Sequence, residues 1–196
     1  MDGTFNVLEA GIGALVFASL MAYGWGSVYS VTKVLGEDPC RTYQQTTGTA
    51  VVLLRYHAFV LGSYLAYGTR LLRNGVDRRD VAAATVAALC AAVGRRVGLF
   101  RAIVHSDHGM PPEVRADFRA HGPAWCEGRV PGARPLLAKY AIALPETVEQ
   151  HDLTAAAEIL GWRPTVGFTD FLRDLRARDA RGENLTHLWV PGELPA

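Results

Sequence analysis

Tyr29 and Lys33 are the residues of this sequence whose types and spacing could support acid/base chemistry. They are four positions apart, so on a helix they lie one above the other on the same face. An ammonium held beside a phenol stabilises the phenolate and lowers the tyrosine pKa from its reference of about 10 towards neutral pH. Tyrosine and lysine at this spacing are also common on a solvated helix face, so the pair alone is weak evidence for catalysis.

A metal site is not predicted. His105 and His108 are three positions apart in the segment HSDH, but no third ligand has matching spacing, and a polar loop after a strand is the simpler interpretation. Cys40, Cys90 and Cys126 are far apart and form no C-x-x-C pair. We therefore expect reduced thiols, no zinc or disulfide framework, and a cytoplasmic protein.

The composition limits the class of partner. The chain has 196 residues, 49% of them hydrophobic and 20% charged, with a net charge of +1. These values are typical of a globular protein and give no reason to expect nucleic acid as a partner. Residues 10–32 carry no charge and are long enough to cross a bilayer. Several glycines and the turn at Tyr23–Gly26 interrupt this run, which favours a buried strand followed by a loop over a membrane helix.

The segments around Tyr29 predict a strand, a helix and a second strand. Ala14–Ala18 is fully apolar, as in a parallel strand buried on both faces, and Ala50–Tyr56 has the same character. A helix is predicted between them, over residues 27–45. This order defines a βαβ unit and hence a parallel sheet.

The rest of the chain is predicted to be mostly helical, with one more strand at Val97–Val104. The apolar stripe of the helix over Asp77–Val93 is expected to be Val81, Val86 and Leu89. Thr169 is expected to cap the last helix, whose inward residues are Phe171, Leu172 and Leu175. The other predicted helices are residues 3–10, Tyr67–Arg73, Pro111–Ala120, Pro131–Tyr140 and Asp152–Leu160, the last ended by Gly161.

Several segments in order resemble one family. They are GTFNVLEA from Gly3, LVFAS from Leu15, MAYG from Met21, YSVTKVLGED from Tyr29, VVLLRY from Val51, and HDLTAAAEILGWRPTVGF from His151. Together they are similar to the NAD-dependent epimerase/dehydratase family of extended short-chain dehydrogenases/reductases, which includes nucleotide-sugar epimerases. The resemblance implies an α/β fold: a partial Rossmann-like parallel sheet over residues 1–96 and a small, mostly helical substrate lobe over 97–196.

The resemblance also implies roles for particular residues. Tyr29 would be the general acid/base, and Lys33 would lower its pKa and hydrogen-bond the nicotinamide ribose of NAD or NADP. Ser19 would orient the substrate oxygen, and Tyr56 would lie beside the nicotinamide. The substrate would be a nucleotide sugar or a related hydroxyl or keto compound. A homodimer would form through the helices at 3–10 and 27–45.

The sequence departs from the family pattern in two respects. No G-x-x-G-x-x-G motif occurs, although the family uses it to bind the cofactor pyrophosphate. The interval between Ser19 and Tyr29 is also shorter than in the family. We therefore expect an N-terminally truncated member or a start upstream of Met1. Two alternatives to an active oxidoreductase or isomerase are a non-catalytic remnant that keeps the dimer surface and a small protein anchored by residues 10–32.

Overall fold

The computed structural model of the chain describes residues 14–20, 28–59, 62–94 and 96–190, with the backbone alone at 18–20, 29, 30 and 190. The helix predicted at 3–10 and the turn at 23–26 lie outside these residues. The strands are β1 (Ala14–Leu20), β2 (Ala50–Tyr56), β3 (Gly62–Ser63), β4 (Leu99–Val104) and β5 (Trp189–Val190). The helices are α1 (Val28–Thr47), α2 (Tyr64–Arg73), α3 (Arg78–Val93), α4 (Pro112–Ala116), α5 (Phe118–Arg129), α6 (Ala133–Lys139) and α7 (Phe168–Ala180), with a π-helical turn at Ala156–Leu160.

The described residues divide into two compact units. The first contains the residues up to His57, then Arg78–His105 and Asp152–Arg163. The second contains Ala58–Asp77, Ser106–His151 and the residues from Pro164 onwards. Each unit therefore joins separate stretches of chain.

The first unit contains a parallel sheet in which β2 lies between β1 and β4. β2 pairs with β1 from Ala50 to Tyr56 and with β4 from Val51 to Tyr56. Its residues are almost all buried, as expected for an apolar strand with neighbours on both sides. Helix α1 connects β1 to β2, so the predicted βαβ unit and parallel sheet are confirmed.

Different helices cover the two faces of this sheet. Leu53 of β2 packs with Cys40 of α1, together with Leu15, Val51, Phe17 and Tyr43. The hydroxyl of Tyr56, three positions further along β2, contacts Thr85 of α3. Because successive side chains of a strand point to opposite faces, Leu53 and Tyr56 mark the α1 side and the α3 side of the sheet.

The buried stripe of α3 differs from the predicted one. Val86 and Leu89 are 61% and 49% exposed, so their assignment to the core is wrong. The buried side chains of this helix are Asp80, Ala84, Ala88, Ala91 and Ala92. A methyl side chain lets the helix backbone come close to the sheet, and this close contact replaces the packing of larger apolar side chains.

The second unit consists of α2, α4 to α7 and the antiparallel pair β3–β5. The single helix predicted over Pro111–Ala120 is wrong, because Asp117 leaves the helical region at φ −140° and ψ 70°. Its carboxylate instead accepts a hydrogen bond from the Ala120 N–H at 3.1 Å and so caps α5. The core includes Tyr64, Leu71, Leu72, Phe118, Phe168, Phe171, Leu172 and Leu175.

The last helix begins two residues earlier than predicted. Gly167 precedes it, and the Gly167 N–H donates to the Asp170 carboxylate at 2.9 Å. Thr169 lies inside the helix, so its expected role as the cap is wrong. The predicted inward residues Phe171, Leu172 and Leu175 are buried, which confirms that part of the prediction.

Within the described stretches, no helix is both long enough and apolar enough to span a bilayer. Ala14–Leu20, the middle of the uncharged run at 10–32, is a strand paired with β2. The described part of that run is thus a strand, the interpretation that the sequence favours over a membrane helix.

Candidate functional site

Helix α1 carries both members of the predicted acid/base pair. It begins at Val28, so positions 29 and 33 occupy its first two turns on one face. The side chain of Lys33 is half-buried. In a βαβ unit the helix that follows a strand begins near the carboxyl edge of the sheet, where α/β proteins bind ligands. The structure therefore places positions 29 and 33 together near that edge.

A glycine brings α1 close to β1. A Cβ atom added at Gly36 would lie 2.8 Å from Cζ of Phe17, a distance that real Cβ atoms essentially never show. The Phe17 ring thus occupies the space that a side chain at position 36 would need. This contact fixes the distance between the helix that carries Lys33 and the strand that ends at Leu20.

Cys40 lies one turn beyond Gly36 and is fully buried. Its thiol donates a hydrogen bond to the Gly36 carbonyl at 3.3 Å. Burial, and secondarily the charge of Glu37, raises the pKa of Cys40 to about 11. The thiolate is the nucleophilic form of cysteine, so Cys40 is a packing residue and not a nucleophile at neutral pH.

Glu37 ties α1 to two strands of the sheet. Its carboxylate accepts hydrogen bonds from Nε and Nη2 of Arg55 in β2 at 2.8 and 2.9 Å. It also forms an ion pair with Arg101 of β4 at 3.0 Å. Glu37 is only 2% exposed, so this carboxylate is held by two charged partners in a nearly water-free position.

Glu37 is a member of the site that the sequence analysis missed. The sequence does contain a signal for this residue, because Glu37 follows Lys33 by four positions and the two therefore share a helix face. A buried acid on the sheet side of a helix needs a cationic partner. The arginines that supply it come from other segments, and sequence spacing does not reveal such pairing.

Tyr56 belongs to the opposite side of the sheet from α1. Its hydroxyl lies 2.7 Å from the Thr85 hydroxyl, which donates to the Val81 carbonyl at 2.8 Å within α3. Burial raises the pKa of Tyr56, and the hydrogen bond with Thr85 partly opposes that effect. The structure therefore does not bring the Tyr56 hydroxyl together with Lys33 on one face.

The strand register defines the place of Ser19. Ser19 pairs with Arg55, and the next residue, Leu20, pairs with Tyr56. Ser19 is thus in the penultimate position of β1, near the carboxyl edge of the sheet. Its backbone and that of Tyr29 belong to consecutive elements of the βαβ unit.

The fold and the position of this site define a Rossmann-like α/β protein. Neither a protein-family model nor a curated protein matches the sequence. Solved structures do match the fold. A UDP-galactose 4-epimerase structure has a TM-score of 0.55 and 21% identity, over 91% of this chain and 68% of that one.

Two further structures give the same result. UDP-glucuronic acid 4-epimerase from Bacillus cereus, in complex with UDP-glucuronic acid and NAD, has a TM-score of 0.53 and 16% identity, over 92% of this chain and 67% of that one. RMD from Pseudomonas aeruginosa, complexed with NADPH, has a TM-score of 0.54 and 17% identity, over 90% of this chain and 71% of that one. The predicted Rossmann-like α/β fold is confirmed, and these epimerase structures share it. The chain spans about two thirds of the length of the epimerase structures.

Proposed function

We propose that this chain catalyses an NAD(P)-dependent epimerase- or dehydratase-type reaction on a nucleotide sugar. The observation that carries the proposal is the position of Tyr29 and Lys33 in the first two turns of the helix that follows β1. The fold in which that helix lies is the one seen in UDP-sugar epimerases crystallised with NAD or their nucleotide-sugar substrate.

Each proposed residue has a distinct task. The Tyr29 phenolate takes the proton of a sugar hydroxyl as the carbinol carbon is oxidised to a ketone, and it returns the proton when the ketone is reduced. The bound nicotinamide cofactor supplies the hydride acceptor and donor. Lys33 stabilises the phenolate and hydrogen-bonds the ribose, and Ser19 orients the substrate oxygen. Tyr56 is proposed to contact the nicotinamide region.

The chain fits one end of this cofactor better than the other. At the nicotinamide ribose, the half-buried Lys33 offers an ammonium near the carboxyl edge of the sheet. At the pyrophosphate, the sequence supplies no G-x-x-G-x-x-G loop. Because the backbone amides of that loop and the following helix N-terminus normally bind the pyrophosphate, we expect this chain to bind NAD(P) weakly.

A second candidate is a non-catalytic protein that associates with another copy of itself through α1. The exposed residues Val28 and Leu35 favour this candidate: they are 81% and 36% exposed and lie seven positions apart on the helix. Positions seven apart share a helix face, here the face turned away from the buried Gly36 and Cys40. Leu35→Glu should dissociate such a dimer in sedimentation experiments, whereas Ile159→Glu, at another exposed apolar residue, should leave it intact.

Cofactor binding and turnover separate the two candidates. The purified 196-residue chain is titrated with NADH and NADPH, and nicotinamide fluorescence is recorded. NMR then follows the interconversion of UDP-sugars in the presence of NAD. Tyr29→Phe should abolish turnover without changing cofactor affinity by more than a few fold. Tyr43→Phe, on the same helix and packed against the sheet, is the control and should retain turnover. A wild-type chain that neither binds nor turns over supports the non-catalytic candidate.

A further inference from the structure

Two histidines follow neighbouring strands of the parallel sheet at its carboxyl edge. His57 comes directly after β2, and His105 comes directly after β4. Their imidazole rings have centroids 4.3 Å apart and meet edge to face at 80°. Both residues are buried, with exposed fractions of 2% and 1%. Neither has a role in the proposed epimerase chemistry.

The backbone fixes this juxtaposition. Tyr56 and Val104 are the last paired residues of β2 and β4, so His57 and His105 are the next residues in the same register. The His57 N–H donates to the Val104 carbonyl at 3.1 Å and extends the ladder past the strand end. Side chains that are neighbours in register point to the same face, so the rings meet through the strand pairing itself and not through mobile loops.

We propose that His57 and His105 are two ligands of a divalent transition-metal ion, of the zinc, copper or nickel type. A ring nitrogen of each residue lies within 4.8 Å of one on the other. Two nitrogens bound to a tetrahedral ion at 2.0–2.1 Å are about 3.3 Å apart, so small rotations about the side-chain torsions bring the pair to coordination distance. Imidazole is the ligand that these ions favour, and chelation by a preordered pair adds affinity.

The position of the pair suggests what completes the coordination. Ligands of parallel α/β sheets bind outside the carboxyl ends of the strands, where His57 and His105 lie. Two protein ligands leave positions for water or for an oxygen of a bound anion. The proposed site is thus an open one, which differs from a closed structural zinc site with four protein ligands. It does not depend on the epimerase activity or on NAD.

Metal binding by the whole chain tests the proposal. The protein is treated with a chelator, dialysed, and titrated separately with Zn²⁺ and Cu²⁺ by calorimetry. Cu²⁺ loading should give an electron paramagnetic resonance spectrum with coupling to two or more ring nitrogens. His57→Ala and His105→Ala should each weaken binding by at least about tenfold, since even loss of a residue that merely orients a ligand costs that much. His121→Ala and His187→Ala, at exposed histidines, are the controls and should bind like the wild type.

Folding of the variants is checked at the same time. Circular dichroism of the metal-free proteins identifies any Ala variant that has lost structure, and His57→Gln or His105→Gln then replaces it. Zn²⁺ should raise the Tm of the wild type and both control variants but not of the His57 and His105 variants. The proposal is overturned if the wild type binds neither ion, if the His57 and His105 variants bind as well as the controls, or if the copper spectrum shows no nitrogen coupling.

Discussion

Glu37 and Arg55 form a bidentate ion pair that joins helix α1 to strand β2, with nitrogen–oxygen distances of 2.8 and 2.9 Å. Arg101 of β4 binds the same carboxylate at 3.0 Å. The three residues come from separate elements, so the two ion pairs of Glu37 hold the helix that carries Lys33 against the sheet. Glu37 is one helical turn beyond Lys33, so these ion pairs hold that part of α1 against the sheet.

Glu37→Gln should therefore destabilise the protein by about 2–4 kcal/mol. Removing one member of a buried ion pair usually costs more than that, but Arg55 and Arg101 keep some solvent contact and lose less. Urea unfolding measures the change. Asp38→Asn is the matched control: the neighbouring carboxylate pairs with Arg41 at 3.6 Å on the exposed side of α1, and its loss should cost less than about 1 kcal/mol. Equal losses in both variants would contradict a structural role for Glu37.

Gly36→Ala should destabilise the protein by about 1–3 kcal/mol, because the new methyl group would overlap the Phe17 ring. Phe17→Leu in the same chain should recover part of the loss, since it removes the ring atoms that clash. Gly128→Ala serves as the control. Gly128 also lies in a helix, and a Cβ added there would meet no atom within 4 Å, so alanine at this position should stabilise by up to about 1 kcal/mol. Equal thermal stability of Gly36→Ala and Gly128→Ala would contradict the close contact between position 36 and the Phe17 ring.

The βαβ unit could be predicted from the sequence because its signals are local. Both strands are short apolar runs, and the turn at 23–26 and the threonine-rich break at 46–49 delimit the predicted helix between them. The buried stripe of α3 could not be predicted in the same way. Hydrophobicity favours Val86 and Leu89 over alanine, whereas the close approach of the helix to the sheet selects Ala84 and Ala88.

The candidate site likewise combines features that the sequence predicts with contacts that only the fold reveals. The helical spacing of Tyr29 and Lys33 is visible in the sequence, and α1 has the predicted course. The pairing of Glu37 with Arg55 and the contact between His57 and His105 depend on which strands are neighbours. Such contacts join distant parts of the chain, so no spacing rule contains them.

Tyr56→Phe tests whether the Tyr56 hydroxyl acts in packing alone. The variant loses the hydrogen bond with Thr85 and should be less stable by about 1 kcal/mol. Thr85→Val removes the same bond from the other side, and the double variant should show that the two losses are coupled. A contact between the Tyr56 hydroxyl and the cofactor, as proposed above, would raise the Kd for NADH in Tyr56→Phe. It would leave the Kd unchanged in Thr85→Val. An unchanged Kd in both variants would restrict Tyr56 to packing.

His108 should make the protein less stable as the pH falls below 6.5. Burial lowers the pKa of His108 from 6.5 to about 4, an effect that the charge of Asp107 partly opposes. Between pH 6.5 and 4 the unfolded chain therefore binds a proton that the folded protein resists, and the free energy of unfolding falls by up to about 3 kcal/mol across this window. Urea unfolding at a series of pH values measures the slope. His108→Gln should flatten it relative to the wild type, whereas His121→Gln, at an exposed histidine, should leave the slope unchanged. The same slope in His108→Gln as in the wild type would show that other groups cause the loss of stability in acid.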